Sequence, residues 1–192
     1  MRRRDNAVVV DRGEVAVENL QRGDLVRTAD GDLVPVKWIG VQSINPFGFA
    51  GERLLPIRIT AGALGRNLPV RDVLLSADHA IEVDGVLVNA GALVNGTTVR
   101  RETRAQMKRT FRYFHIETEN HDLICVGGLV AETYVDNVTR AHFDNYAEYV
   151  ELFGEEVADM VELETPRAMS RRQVPSSILS RIEERAAGQA GA

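Results

Sequence analysis

The sequence predicts an all-β fold of short strands and hairpins that ends in a C-terminal helical tail. Three observations predict it. Extended runs of Val, Leu and Ile are short, turn pairs recur between them, and after Asp136 the spacing of apolar residues changes to that of a helix.

The extended runs come first. Glu14-Val15-Ala16-Val17 alternates polar and apolar, and Gly23 to Thr28 starts another strand. Asp30-Gly31 separates that run from Leu33 to Ile39, and Asp84-Gly85 separates Ala80-Ile81-Glu82-Val83 from Val86-Leu87-Val88. Asp-Gly between β-rich segments predicts a tight hairpin, because both central positions need positive φ. Pro35 predicts an edge strand or a bulge, since proline donates nothing to a ladder. Pro56 to Ile59, Val73 to Leu75, Arg112 to Thr118 and Leu123 to Val126 read as further strands. Ala61 to Leu64 and Gly91 to Leu93 are at most single helical turns, and Gly127-Gly128 reads as a bend. The repeated Asp-Gly hairpins form a faint internal echo, better explained by a common turn than by duplication.

The tail is read from Phe143, Tyr146, Ala147, Val150 and Glu151, which share one helical face, with Asp144 or Thr139 as candidate caps. Pro166 breaks the chain, and Pro175-Ser176-Ser177 opens a second helix through Ile178, Ile182 and Arg185. The closing Ala-Gly-Gln-Ala-Gly-Ala is expected to be disordered. The organisation predicted is a β domain over 1–136 and a helical tail over 137–192 that packs partly on it.

Composition narrows the function. A net charge of −5 gives no reason to expect nucleic acid, and Arg2-Arg3-Arg4 reads as a solvated terminal run. No apolar run is long enough to span a bilayer, and Val8-Val9-Val10 is too short for an export signal, so a soluble chain, cytoplasmic by default, is expected. The single cysteine, Cys125, excludes an internal disulfide and a thiolate-rich metal site; its apolar strand suits an inert thiol. No Gly-x-Ser-x-Gly or His-Glu-x-x-His occurs.

Two clusters could carry chemistry. Ser76-Ala77-Asp78-His79 follows a strand and precedes a hairpin. Taken locally it is a turn, with Ser76 and Asp78 bonding backbone amides and His79 exposed. The second cluster is Tyr113-Phe114-His115-Ile116-Glu117 followed by His121-Asp122. Imidazoles and carboxylates are metal-ligand types, but His115 and His121 lack the spacing of familiar metal motifs, so neither a metal nor a cofactor is expected.

Three stretches, in order over 8–136, resemble the bacterial Hint (Hedgehog/intein) family of autoprocessing and protein-splicing domains. Gly13 to Val26 is similar to the family's N-terminal block. Arg71 to Ala80 with Asp84 to Val88 is similar to its Thr-x-x-His block, and Tyr113 to Glu117 through His121-Asp122 to Tyr134 resembles its C-terminal block. Val135-Asp136-Asn137, Phe143 to Tyr146 and Pro166-Arg167-Ala168 resemble a tail found in some bacterial members.

The resemblance implies a Hint-type β fold and an N-to-S acyl shift, in which a first-position Cys or Ser attacks the preceding carbonyl. Ser76 would hold and strain the scissile peptide, and His79 would move the proton. His121 would match the later histidine that assists C-terminal chemistry, and His115 falls where many relatives carry Asp. The departures count against activity. Bacterial relatives open Cys-Phe-x-x-Gly-Thr; here the nucleophile position falls on Met1, and Asp5-Asn6 stands for Gly-Thr. Glu132-Thr133 stands where inteins have His-Asn, which removes asparagine cyclisation. The expected function is therefore a degenerate, catalytically silent Hint domain kept as a structural or protein-interaction module. The alternative is an active self-cleaving domain whose native N-terminal Cys and upstream segment are missing from this chain. A third reading is an unrelated β-sandwich whose tail docks a protein partner through an exposed aromatic face of Phe143, Tyr146, Tyr149 and Phe153.

Overall fold

A computed structural model describes residues 6–47, 51–134, 139–155 and 163–190. Met1, the arginine run and the expected boundary at 136 lie outside the described residues.

Hairpin chemistry organises the chain into three sheets. The first pair is β1 (Ala7–Val10) and β2 (Gly13–Ala16), antiparallel with Val8 opposite Val15. β3 (Leu25–Arg27) pairs with β4 (Leu33–Pro35), which ends the sheet, so Pro35 sits on an edge as expected. Asp30-Gly31 makes a wider turn than predicted. Thr28 and Asp32 bridge the loop through backbone and side-chain bonds of 2.9 and 3.1 Å, and only Gly31 takes positive φ. The predicted single run from Leu33 to Ile39 is split. After β4 the chain is redirected into β5 (Trp38–Ile44), a longer strand than the sequence suggested.

β6 (Ile57–Ile59), β7 (Val73–Leu75) and β10 (Val99–Arg101) form a three-stranded sheet in the order β10-β6-β7. β8 (Ala80–Val83) and β9 (Val86–Asn89) form the predicted tight hairpin, with φ of 51° at Asp84 and 82° at Gly85. β11 (Phe111–Glu117) pairs with β5 over all seven residues as a separate ribbon. β12 (Leu123–Val126) turns through Gly127-Gly128, both at positive φ, into β13 (Leu129–Glu132).

The nine-stranded sheet closes the molecule in the order β14-β9-β8-β13-β12-β1-β3-β4, with β2 beside β1. β14 (Arg167–Ala168) comes from the tail and pairs parallel with β9, a feature the sequence did not suggest. The tail helices are α1 (Tyr146–Phe153) and α2 (Ser176–Ala190). α2 runs to Ala190 and so takes in the first four of the six closing residues expected to be disordered; the last two lie outside the described residues. Its Ile178 and Ile182 are 1% and 0% exposed and belong to the same core as Val8, Ile57, Ile81 and Ile124. Burial on that scale contributes about 1.5–3 kcal/mol per side chain, which explains why a low-propensity end stays helical.

A second apolar cluster of Trp38, Tyr134, Phe143 and Tyr149 fixes α1 on the β5–β11 ribbon. Trp38 meets the rings of Phe143 and Tyr149 edge-on at 5.5 and 5.1 Å. Gly40 permits the approach, because a Cβ there would lie 3.0 Å from the Phe143 ring. The cap is Asn145 rather than Asp144 or Thr139. Its Oδ1 accepts from Val41 N–H and its Nδ2 donates to the Ile39 carbonyl, both at 2.9 Å. Asp144 N–H donates to Val41 C=O (2.7 Å), and its carboxylate accepts from Ser43 N–H (2.9 Å). Two adjacent residues thus satisfy the open edge of β5 as another strand would. The aromatic face expected to be exposed is turned inward. Phe143 and Tyr149 are buried in the chain's own core, and Tyr146 and Phe153 are half-buried.

Candidate functional site

The site begins where β1 enters the sheet. Asn6 stands at φ 62°, a conformation asparagine tolerates, and its side-chain amide brackets one residue of β7. Its Oδ1 accepts from Leu74 N–H at 2.9 Å and its Nδ2 donates to Leu74 C=O. The chain therefore enters the fold two residues along β7 from Ser76.

β7 ends at Leu75, and the Ser76–His79 turn is closed by His79 N–H donating to Ser76 C=O at 3.3 Å. The local reading of this segment as a turn holds, but His79 is not an exposed turn residue. It lines a cleft of about 610 Å³ together with Asn6, Ser76, His115 and Glu132. Gly91 supports the turn from behind. Its N–H donates to Ala77 C=O (2.8 Å), and a Cβ at Gly91 would meet that oxygen at 3.1 Å.

His115 reaches the cleft from β11, opposite Gly40. Its ring lies 6.4 Å from that of His79, 4.9 Å from Phe143 and 6.2 Å from Tyr134. Burial pushes both imidazoles down. His115 falls to about 4, through desolvation and then the neighbouring His79. His79 is also lowered by desolvation, with the Glu132 charge pulling weakly the other way. At neutral pH both rings are uncharged, the form that can accept a proton. A smaller cavity of about 210 Å³ shares Ser76, His79, Tyr113, His115 and Glu132, so these residues wall two adjacent spaces.

His121 is not in the cleft wall. It stands behind Glu132, with its side chain 1% exposed and its Nε2 2.9 Å from Glu132 Oε1. That contact falls short of hydrogen-bond alignment, and Nδ1 of the same ring is buried without a hydrogen-bond partner. Thr133 secures the loop that carries it. The Thr133 hydroxyl accepts from Asp122 N–H at 3.0 Å and lies 3.4 Å from the Thr118 hydroxyl. The structure thus gathers Ser76, His79 and His115 around one opening and places His121 one layer deeper. Among the described residues, no group of three His, Cys, Asp or Glu side chains is arranged to hold a metal ion.

Sequence reasoning noted Glu132 only as a departure from the intein pattern and did not see that it organises this layer. Glu132 is 5% exposed and is held by the two terminal guanidinium nitrogens of Arg167, from β14, Nη1 at 2.9 Å. Burial alone would raise this carboxyl, but the Arg167 bonds, the close approach of His121 and the charges of both hold it at about 2. A second buried carboxylate, Glu117 at the end of β11, is clasped by Arg140 through bonds of 3.0 and 3.1 Å. A glutamate closing an otherwise apolar strand is a signal that a counter-charge exists, but its address in sequence is not local.

The class of protein is thus a mostly β one, with a curled sheet whose first strand enters beside a paired-histidine cleft. A family model described as Hint domain matches residues 3–138, and the chain belongs to the Hint domain family, related to protein-splicing modules. No curated protein matches. Among solved structures it is similar to the MchDnaB-1 intein at 15% identity and a TM-score of 0.46, covering 67% of this chain and 96% of that one. It is also similar to the Msm DnaB1 intein splicing domain bound with zinc, at 15% identity and a TM-score of 0.42, covering 68% of this chain and 97% of that one. Among the described residues, no helix is long and apolar enough to cross a membrane.

Proposed function

We propose that this Hint domain is silent in the N-to-S acyl shift and serves as a structural or protein-interaction module, with Ser76, His79, His115 and His121 as the vestige of a processing site. One observation supports this most. The chain's sole thiol, Cys125, is on β12 between Ile124 and Val126, which line the cleft; its own side chain does not. It donates instead to the Thr28 carbonyl at 3.6 Å, and burial pushes its pKa up against a smaller pull from Arg27. A protonated thiol outside the cleft cannot be the attacking group. The nucleophile position by resemblance, Met1, carries a thioether with no proton to lose. What the cleft retains is the acid–base half of the reaction: two neutral imidazoles and the Ser76 hydroxyl. A protein partner, on this reading, meets the outer side of the tail, where Tyr146 and Phe153 remain half-buried and Leu152 is exposed.

The test is a fusion with a reporter protein ahead of residue 1, treated with thiol or hydroxylamine. The native sequence stays intact, while Met1→Cys in the same fusion cleaves and His79→Ala abolishes that cleavage. Cleavage of the native fusion would overturn silence and support the alternative, an active self-cleaving domain. Failure of Met1→Cys to cleave would show that the acid–base half is also lost.

A further inference from the structure

Two buried carboxylates of the family-matched region, Glu117 and Glu132, take their arginines from beyond residue 138. One of these pairs lies on the histidine cleft. Glu132 Oε1 lies 2.9 Å from His121 Nε2 and also accepts from Arg167, which holds Oε2 at 2.9 Å as well, and Glu132 lines the same cavity as His79 and His115. Arg167 arrives by a built route rather than by chance. It is the first residue of β14, in register opposite Leu87 of β9, and Leu87 N–H donates to Pro166 C=O at 2.8 Å.

We propose that Arg167 is a positioning residue of the histidine cleft: it fixes the Glu132 carboxylate against His121 and sets the charge that His79 experiences, making the tail a component of the site. The physical reason is that a carboxylate 5% exposed cannot stay ionised without a strong partner. The groups facing Glu132 are His121 from the loop after β11, Arg167 from β14, and His79 at the entrance to β8. With Arg167 removed, the cost of burying a charged carboxylate, which its partners now outweigh, regains ground. The carboxyl titrates higher, and the net negative charge left near His79 raises that imidazole. Nothing in this inference depends on whether the cleft cleaves a peptide.

The experiment is an NMR titration of the full chain, following the Glu132 side-chain ¹³C carboxyl and the His79 ring nitrogens. It compares the native protein with Arg167→Gln, Arg167→Lys, and Glu132→Gln with and without Arg167→Gln. In Arg167→Gln the Glu132 midpoint rises by about 1 unit or more, with Arg167→Lys intermediate, and the His79 midpoint rises with it. In the Glu132→Gln background, Arg167→Gln leaves His79 unmoved, a silence that a general loosening of the fold would not produce. Should Arg167→Gln fail to fold, Arg167→Lys and the double variant still carry the comparison. Midpoints of Glu132 and His79 that are the same with lysine as with arginine, or a His79 shift that persists without Glu132, would overturn the proposal.

Discussion

The two tail arginines perform the same pairing in different surroundings. Arg140 and Glu117 are 4% and 0% exposed. The guanidinium lies 4.9 Å from the rings of both Tyr134 and Tyr149, and Lys37 stands 3.6 Å from the same carboxylate. That pair is sealed among aromatic rings and touches none of the candidate histidines. Arg167 keeps 24% of its side chain in solvent, and its carboxylate partner is shared with an imidazole. The contrast teaches that burial depth, not pair chemistry, separates an anchor from a tuning element. The sealed pair secures the ribbon to α1, and the open one holds charge where neighbouring groups titrate.

Breaking each side should separate them. Arg140→Leu leaves a fully buried carboxylate with Lys37 at 3.6 Å in place of its two guanidinium bonds and should lose roughly 3 kcal/mol in urea denaturation. The His79 titration of whatever fraction remains folded should stay where it is. Arg167→Leu should cost less, about 1–3 kcal/mol, because solvent already screens part of that pair. Equal losses from the two variants would dissolve the distinction. Asn145→Ala tests the anchor side alone: it removes one acceptor and one donor from the β5 edge and should cost about 1 kcal/mol, read in the same denaturation series.

The smallest expected effect sharpens the tuning side. In the folded chain His115 binds a proton only near pH 4, against about 6.5 when unfolded. As pH falls below about 6.5 the unfolded state takes up the proton first, so stability declines until about pH 4 and this contribution is flat below that. His115→Phe, a ring of similar shape among Phe143 and Tyr134, should flatten the fall in urea midpoint between pH 7 and 5. Glu132 works in the same direction at lower pH. Its depressed carboxyl adds stability above its unfolded value near 4.3, and this is lost as pH falls toward about 2.

What was legible in the sequence was what short-range chemistry dictates. Asp84-Gly85 specified its hairpin because both residues readily take left-handed φ; the Arg181 guanidinium that later docks on the Asp84 carboxylate at 2.6 Å adds to a turn already favoured locally. Asp30-Gly31 looked identical but yielded a wider loop, since Thr28 and Asp32 compete for the turn's hydrogen bonds. Helical spacing located the tail aromatics but not the side they face. That was settled by Trp38 and Gly40, a hundred residues earlier. Ser76, His79 and His115 were found through the family blocks and converge on one cleft. Arg167 stood in a stretch that resembled the family tail, but its place beside the cleft could not be read there, because a two-residue strand paired in parallel with β9 leaves no periodic trace.

Asp144 and Asn145 carry a practical consequence for anyone borrowing this domain. Cut at the limit of the family match, the ribbon would present Ile39, Val41 and Ser43 as a row of unanswered amides and carbonyls. A fusion partner's loose terminus, or a neighbouring molecule, could stitch itself there, so the transplantable cassette runs past Asn145.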